Sequence, residues 1–324
     1  PYGEVRNGGY TYFAEGDFII AKITPCMENG KCAIAEGLTN GIGFGSSEFH
    51  TFRCHASEIL TKFLFLLLNQ TTVRKAAEDA MTGASGHRRV PAAFYEEMLI
   101  PVPPIPVQQQ VIDECAKIDE EYNATRMRIE TYRQKTADLF AELDAVMSTT
   151  EGNRLSLSDT EKFSVAIGKR VLDKELASNG TIPVYSANVT APFGFIDKLL
   201  ITDFSAPSVL WGIDGDWMTS YLPSDMPFYP TDHCGVLRCK NSEVNPRYLA
   251  HILEVEGRKM GFSRSYRASI DRVHGIAFTV PDISIQNNAM SKVADYEMAI
   301  KELEGSLEKI ASRRSEIIRK ALAE

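Results

Sequence analysis

The stretch that decides the fold is Val102-Pro103-Pro104-Ile105-Pro106-Val107-Gln108, which recurs 178 positions later as Val280-Pro281-Asp282-Ile283-Ser284-Ile285-Gln286. Each copy stands at the end of a region of mixed composition and just before a long segment that contains no proline. Similar segments at a fixed spacing indicate a structural unit that occurs twice. The 324 residues are also more than one average domain needs and are sufficient for two.

Both copies lead into a predicted long helix whose apolar residues are spaced alternately four and three positions apart. The first series is Val111, Cys115, Ile118, Tyr122, Thr125, Ile129, Tyr132, Thr136, Leu139, Leu143 and Val146. The same offset of 178 gives the second series, which is Ala289, Val293, Tyr296, Ile300, Leu303, Leu307, Ile310, Arg314, Ile317 and Ala321. A sustained period of 3.5 residues predicts the seam of a left-handed coiled coil. We expect Arg314 and the two threonines of the seam to weaken it and to fix its register.

A second correspondence lies upstream, at an offset of 185. Arg53, Ser57, Glu58, Phe63, Leu64 and Leu67 match Arg238, Ser242, Glu243, Tyr248, Leu249 and Ile252. These positions predict one helix in each copy, capped at its N-terminus by Ser57 or Ser242. The first copy has seven more residues between this helix and the Val-Pro segment, and its residues 81–89 predict a loop. Short strands are predicted at residues 17–23 and 208–213.

Composition excludes several classes of protein. The most apolar run, residues 63–68, is far shorter than the roughly 20 residues that a membrane-spanning helix needs. The six cysteines form no Cys-x-x-Cys pair and no zinc-finger spacing with histidine, so we expect no metal site and a reducing, cytoplasmic location.

The net charge of −8 argues mildly against a nucleic-acid partner. The charge is unevenly distributed, however: residues 107–148 hold nine acidic and five basic side chains, whereas residues 258–272 hold five basic and one acidic. The acidic groups therefore lie on a predicted helix, and the basic groups form a cluster elsewhere in the sequence.

Three parts of the sequence carry a resemblance to a known family. They are Tyr10-Thr11-Tyr12-Phe13 with residues 16–31, Gly180-Thr181-Ile182-Pro183-Val184-Tyr185-Ser186-Ala187-Asn188 with Phe195-Ile196-Asp197, and the two Val-Pro-x-Ile-x-x-Gln segments. In combination they resemble the specificity subunits of Type I restriction-modification systems. The resemblance implies an α+β fold in which two globular target-recognition domains are separated by two long antiparallel coiled-coil helices, with an internal pseudo-two-fold repeat.

The same resemblance implies a domain division and a set of partners. We expect a first target-recognition domain at residues 1–106, a central helix at 107–150, a second target-recognition domain at 151–284 and a C-terminal helix at 285–324. The first domain lacks a counterpart to about the first forty residues of the second, so we expect it to be incomplete at its N-terminus. Each domain would bind one half of a split site in double-stranded DNA, and two methyltransferase subunits and restriction (translocase) subunits would dock on the chain. No cofactor is expected on this chain, because S-adenosylmethionine, ATP and Mg would belong to the partner subunits.

Candidate DNA contacts occur in both predicted domains. In the first domain they are Lys22, Thr24, Asn29 and Lys31 at a strand end and its turn, and His87, Arg88 and Arg89 in the loop. In the second they are Lys169, Arg170, Tyr185, Ser186 and Asn188 near the start of the domain, and Arg264, Tyr266 and Arg267 in the basic cluster. Arginine reads guanine or binds phosphate, and amide and hydroxyl side chains can read adenine. The alternative is that the basic loops are merely solvated, and that Asn29 and Asn188 are turn residues bonded to nearby backbone.

No motif of a catalytic centre is convincing. The chain has no P-loop sequence, and Asn245-Pro246-Arg247-Tyr248 only partly matches the Asn-Pro-Pro-aromatic motif of adenine methyltransferases. Pro246 is better explained as a first-turn residue of a helix. We therefore expect a non-catalytic chain. Two alternatives stay open: the C-terminal recognition half of a fused methyltransferase or restriction enzyme, and a structural coiled-coil adaptor.

Overall fold

A computed structural model describes residues 9–55, 57–84, 86–149 and 153–322, except for the side chains of residues 147–149. Its contacts divide the chain into two units. Unit 1 comprises Pro1–Ile129 and Glu302–Glu324, and unit 2 comprises Glu130–Lys301. Both long helices cross from one unit to the other in sequence, so each unit contains one half of each helix.

In its described residues, unit 1 combines two small sheets with three short helices. Its elements are β1 (Thr11–Ala14), β2 (Phe18–Ala21), β3 (Cys32–Ile34), β4 (Ile42–Gly45), β5 (Phe49–Phe52), α1 (Thr61–Leu68), α2 (Thr71–Asp79) and α3 (Ala92–Glu96). The antiparallel strands form a sheet of order β3-β2-β5 and a separate β1-β4 pair. Phe18 and Ile20 of β2 pack against Leu64 and Leu68 of α1, which fixes the helix on one face of the sheet.

Unit 2 contains a larger version of the same arrangement. Its strands are β6 (Asn153–Ser156), β7 (Phe163–Ile167), β8 (Ile182–Tyr185), β9 (Gly194–Ile196), β10 (Ser208–Gly212), β11 (Thr219–Leu222), β12 (Tyr229–Pro230), β13 (Cys234–Cys239) and β14 (Ala277–Val280). Its shorter helices are α5 (Pro246–Lys259) and α6 (Ile270–His274), which follow the long helix α4 (Ile105–Thr149) in chain order. The sheets have the orders β11-β10-β13-β7, β12-β8-β9 and β14-β6. β2 and β10 confirm the two strands predicted from the sequence.

Two neighbouring strands of the central sheet correspond between the two units. In unit 1, Arg53 at the end of β5 donates two hydrogen bonds to Asp17 at the start of β2, at 2.8 and 2.7 Å. In unit 2, Arg238 near the end of β13 donates to Ser208 at the start of β10, at 2.8 Å. These bonds match β2 with β10 and β5 with β13. Among the described residues of unit 1, no strand takes the place beside β5 that β7 occupies beside β13.

The core of unit 2 is built around tryptophan and glycine. Trp211 of β10 is fully buried, and its ring occupies the space that a side chain on Gly235 of β13 would need. The indole Nε1 of Trp211 donates to the carbonyl of Ala268 at 2.9 Å. The other tryptophan, Trp217, packs against Gly257 of α5 and donates to the carbonyl of Glu254 at 2.9 Å.

The two long helices are α4 (Ile105–Thr149) and α7 (Ile283–Ala321). Every position of the two seams predicted from the sequence is buried or half-buried. In unit 1, Arg313 of α7 pairs with Glu121 of α4 at 2.9 Å. In unit 2, the rings of Tyr132 and Tyr296 lie 5.5 Å apart. Within each unit the N-terminal half of one helix therefore packs against the C-terminal half of the other, which is the antiparallel arrangement.

A buried glutamine joins each long helix to its globular domain. Gln108 accepts a hydrogen bond from the backbone N–H of Leu60 at 2.8 Å and donates to the carbonyls of Glu58 and Pro103 at 2.9 and 2.7 Å. Gln286 repeats this pattern: it accepts from the N–H of Asn245 at 2.9 Å and donates to the carbonyls of Glu243 and Pro281 at 3.1 and 2.7 Å. Both glutamines are fully buried.

The capping serines predicted from the sequence are wrong. The N-terminal cap of α1 is Leu60, which has no side-chain cap, and the cap of α5 is Asn245, whose side chain accepts from the N–H groups of Arg247 and Tyr248. Both caps lie three residues beyond the predicted serines, because the glutamine amide binds the chain at that point. Pro246 lies in the first turn of α5, as predicted.

Candidate nucleic-acid interface

In unit 1 the loop of residues 81–90 is fixed to the end of β2. The backbone N–H of Val90 donates to the carbonyl of Lys22 at 2.9 Å, and the N–H of Thr24 donates to the carbonyl of Arg88 at 3.0 Å. Arg89 forms isolated β-bridges with both Ile23 and Thr82. The sequence-predicted residues Lys22, Thr24, Arg88 and Arg89 are therefore brought together at one edge of the sheet.

Arg89 is held by a carboxylate from another segment. Its Nε and Nη2 donate to the two carboxylate oxygens of Glu48 at 2.9 and 2.8 Å, and its Nη1 donates to the carbonyl of His87 at 2.8 Å. The hydrogen bond from Arg89 holds the pKa of Glu48 below its ordinary value, and the same bond raises the pKa of Arg89. Both groups are therefore charged at neutral pH, and the guanidinium has a defined orientation.

The other candidates in unit 1 have separate surroundings. Arg88 lies 4.0 Å from Glu28, whose carboxylate also accepts from the Thr24 hydroxyl at 2.7 Å. Lys31 and His87 are exposed. Asn29 is also exposed and lines a cavity together with Arg74 of α2 and Arg314 of α7. Asn29 is thus placed toward the helices of unit 1.

The corresponding edge of unit 2 carries the second basic loop. The backbone N–H of Ala268 donates to the carbonyl of Ile213 at 3.2 Å, which fixes the loop to the end of β10. Arg267 forms an ion pair through its Nε with Asp214, and His233 contacts the other carboxylate oxygen of Asp214. A basic side chain is therefore again oriented by a carboxylate at the end of the central strand.

Tyr266 and Arg264 lie in the same loop and are exposed. The guanidinium of Arg272 lies 3.9 Å from the centre of the Tyr266 ring. The rings of Phe262 and Tyr266 are stacked, with their centres 5.8 Å apart. Arg264 lies 3.7 Å from Asp216, with both side chains largely exposed. An aromatic ring with a stacked arginine in a basic loop is a surface suited to phosphate and base contacts.

The remaining candidates of unit 2 differ in exposure. Lys169 and Arg170 are exposed. Tyr185 is only 7% exposed and packs against Phe228, and burial raises the pKa of its phenol, so this residue belongs to the core and not to the surface. Ser186 is half-buried and accepts from the hydroxyl of Thr231 at 3.0 Å.

Asn188 is exposed, and its side chain forms a local turn. Its Oδ1 accepts from the N–H and the hydroxyl of Thr190, at 2.9 and 2.8 Å. These bonds match the turn alternative that the sequence left open for Asn188.

Sequence reasoning missed the carboxylates at both edges. Glu48 stands one position before β5, and at the offset of 185 its counterpart is His233, one position before β13. The repeat could therefore have drawn attention to Glu48 and His233. It could not have shown that Glu48 binds Arg89 or that His233 contacts Asp214, because these partners are distant in sequence. In the described part of the chain, no group of three or more His, Cys, Asp or Glu residues could hold a metal ion, and no helix is long and apolar enough to cross a membrane.

Comparisons with known proteins give a consistent result. The family model described as the Type I restriction modification DNA specificity domain matches residues 160–311. The Type I restriction enzyme EcoAI specificity subunit of Escherichia coli is 48% identical over 104 residues, which is 32% of this chain and 18% of that protein. The EcoEI specificity subunit of Escherichia coli is 36% identical over 146 residues, which is 44% of this chain and 24% of that protein. The chain thus spans less than a quarter of the length of these two relatives.

A solved structure supports the fold over most of the chain. The S subunit of the Type I restriction-modification system from M. genitalium superposes with a TM-score of 0.59 at 15% identity, covering 96% of this chain and 84% of that one. At this identity the likeness concerns the fold alone. It confirms the α+β class with two globular parts and two long antiparallel helices. The resemblance indicated by the sequence is likewise confirmed: residues 160–311 match the family model of the Type I restriction modification DNA specificity domain, and parts of the chain are similar to Type I specificity subunits.

Proposed function

We propose that this chain is the non-catalytic DNA sequence-specificity subunit of a Type I restriction-modification complex. The observation that carries the proposal is the presence of an exposed basic loop at the same sheet edge of both units, next to Lys22 in unit 1 and Ile213 in unit 2. Each loop would bind one half of a split site in double-stranded DNA. The two long helices would connect the halves and set the number of base pairs between them.

The proposal assigns the chemistry to partner subunits. Two DNA methyltransferase subunits would carry S-adenosylmethionine, and restriction (translocase) subunits would carry ATP and Mg, while this chain binds none of the three. The complex would act in the cytoplasm, where its DNA is found. The division into residues 1–106, 107–150, 151–284 and 285–324 remains part of the proposal, with the first and third segments as target-recognition domains.

The proposed DNA-contact surface contains most of the candidate residues that the sequence predicted, without Asn29 and Tyr185. Lys22, Thr24, Arg88 and Arg89 in unit 1 and Arg264, Tyr266 and Arg267 in unit 2 lie on the two loop edges. His87, Lys31, Lys169, Arg170, Ser186 and Asn188 are proposed as outer contacts. Among them, the exposed Lys31, Lys169 and Arg170 would contact phosphate more than a base, because exposed lysine and arginine chains bind the DNA backbone without reading its sequence.

The test is the pattern of DNA methylation in cells that express the chain with a Type I methyltransferase encoded beside it. Single-molecule sequencing should detect methylated adenine in one split motif with a fixed gap, and cells with the methyltransferase alone are the control. A single half-site, or its palindrome, would mean that one unit does not read DNA. An assembled complex without any motif would favour the structural adaptor.

A further inference from the structure

We propose that Arg89 and Arg267 are the equivalent specificity-determining residues of the two units, each reading a guanine in its own half-site. We further infer that Glu48 and Asp214 are positioning residues that hold these arginines in the orientation for reading. The inference rests on the proposed function, because it names the residues through which each unit would recognise DNA. Neither carboxylate is suggested by the resemblance or by the comparisons.

The two arginines occupy the same place in the repeat. Arg89 and Arg267 are 178 positions apart, the offset of the Val-Pro segments. The next residue of each loop donates its N–H to the carbonyl at the end of the central strand: Val90 to Lys22 at 2.9 Å, and Ala268 to Ile213 at 3.2 Å. The strand ends are themselves equivalent, because Lys22 and Ile213 stand five positions after Asp17 and Ser208, the residues bound by Arg53 and Arg238.

The carboxylates that hold the arginines are placed differently in the two units. In unit 1 the residue before β5 is Glu48, and it binds Arg89 directly. In unit 2 the equivalent position is His233, which contacts Asp214, and Asp214 forms the ion pair with Arg267. A carboxylate therefore holds the arginine in both units, although different elements supply it. This recurrence without sequence identity supports a function for the contact itself.

The hydrogen bonds of Arg89 leave suitable donors free. A guanidinium has five N–H groups, and Glu48 and the His87 carbonyl engage three of those of Arg89. One hydrogen remains on each terminal nitrogen. Two such donors fit the adjacent O6 and N7 acceptors of guanine in the major groove. The side chain of Arg89 is 42% exposed and that of Arg267 is 66% exposed, so both can reach a ligand.

Positioning matters because an unrestrained arginine has many side-chain conformations. Fixing them on binding costs conformational entropy, and a side chain that is already held loses less. The carboxylate also occupies the Nε edge of the guanidinium. A ligand that needs hydrogen bonds from this edge is therefore disfavoured. The expected result is better discrimination between base pairs, and not simply tighter binding to any DNA.

The experiment uses the full chain in complex with its methyltransferase and a DNA site taken from the methylation motif. Competition binding compares that site with copies in which one base pair at a time is replaced. Arg89→Ala and Glu48→Gln should each reduce discrimination at one base pair of one half-site. Arg267→Ala and Asp214→Asn should do the same in the other half-site. The arginine variants should lose about 5- to 150-fold, which is the discrimination of one bidentate contact.

Matched controls separate positioning from a general structural effect. Glu121→Gln removes the exposed pair with Arg313 in unit 1. Glu254→Gln removes the pair with Arg258 in unit 2, in which Glu254 is half-buried and Arg258 is exposed. Both should leave discrimination at every base pair unchanged. Glu48→Asp keeps the negative charge and should restore part of the discrimination that Glu48→Gln loses.

The outcomes distinguish this inference from the proposed function. If Arg89→Ala weakens binding to every sequence equally, Arg89 binds phosphate and the inference is wrong. The inference is also wrong if Glu48→Gln and Asp214→Asn leave discrimination unchanged, as their controls do. It is likewise wrong if one variant alters discrimination in both half-sites. In these cases the wild-type complex still binds a split site, and the proposed function stands. A wild-type complex that binds no split site overturns the proposed function itself.

Discussion

At the scale of single residues, Asp17 is a buried charge in the first unit. Its side chain is 2% exposed and accepts two hydrogen bonds from Arg53 and one from the N–H of Ala14, at 2.7 to 2.8 Å. The hydrogen bond from Arg53 is the main cause of a lowered pKa for Asp17. Unit 2 has Ser208 at the same place. A hydrogen bond from arginine is thus present in both units, but only in unit 1 is the acceptor charged.

Asp17→Asn should destabilise unit 1 by about 2 kcal/mol, because hydrogen bonds to charged groups contribute more than neutral ones. A carboxyl whose pKa is lowered by folding contributes stability above its unfolded pKa of about 3.9. This contribution is lost as the pH falls through the folded pKa. The difference between wild type and variant should therefore be constant from about pH 5 to 8 and shrink below about pH 4. Amide hydrogen exchange of β2 and β5, recorded at several pH values, measures this difference in stability.

Glu36→Gln is the control for this prediction, since Glu36 is an exposed carboxylate in the same unit. If Asp17→Asn is no more destabilising than Glu36→Gln, the buried pair with Arg53 contributes nothing to stability.

The sequence was informative about the loops and uninformative about their partners. Arg89 and Arg267 could be matched by counting along the chain, because they share the offset of the repeat. The contacts of Glu48 and Asp214 depend on how distant segments meet, and the 41 positions between Glu48 and Arg89 carry no signal for that meeting. Tyr185 was a candidate DNA contact because its phenol hydroxyl is polar. In the structure its ring is buried and packs against Phe228.

At the scale of elements, the start of each long helix is determined by one glutamine. Gln108 and Gln286 each bind three backbone groups, and these groups belong to two separate segments of the chain. The motif Val-Pro-x-Ile-x-x-Gln is therefore a joint between the globular domain and the helix. The motif predicted the position of both helices correctly. It did not predict the caps of α1 and α5, because the donor to the glutamine is selected by tertiary contact and not by local sequence.

Gln108→Ala should destabilise unit 1 by about 3 kcal/mol, because it leaves up to three buried backbone groups without a partner. Gln109→Ala is the matched control: Gln109 is exposed, and its amide donates only to Asp113 on the same helix, at 2.8 Å. Hydrogen exchange at the start of α4 and of α1 should report the loss. Equal stabilities of the two variants would show that Gln108 is not the joint described here.

At the scale of the whole molecule, charge is distributed against the expectation for a DNA-binding protein. The net charge is −8, yet each unit presents arginines on its loop edge. Electrostatic interactions are screened over about 8 Å at physiological salt. The local charge of the loops, and not the net charge, should therefore govern binding to phosphate.

Raising the salt concentration should weaken DNA binding with a slope set by the number of phosphate contacts. Arg88→Ala combined with Arg264→Ala should reduce the slope of log K against log salt by about 1.8, at about 0.9 per contact. Glu130→Gln combined with Asp138→Asn removes two exposed acidic groups from α4 and should leave the slope unchanged. Fluorescence anisotropy with labelled DNA provides the measurement, and equal slopes for the two double variants would contradict the prediction.

The placement of the tryptophans has an optical consequence. Trp211 and Trp217, the two tryptophans of the chain, both belong to unit 2, and each indole donates to a backbone carbonyl of that unit. Intrinsic fluorescence excited at the red edge of the protein absorption band thus reports on unit 2, while unit 1 emits nothing there. Because Trp211 binds the carbonyl of Ala268, next to Arg267, its emission is a native probe of one loop, without any attached dye.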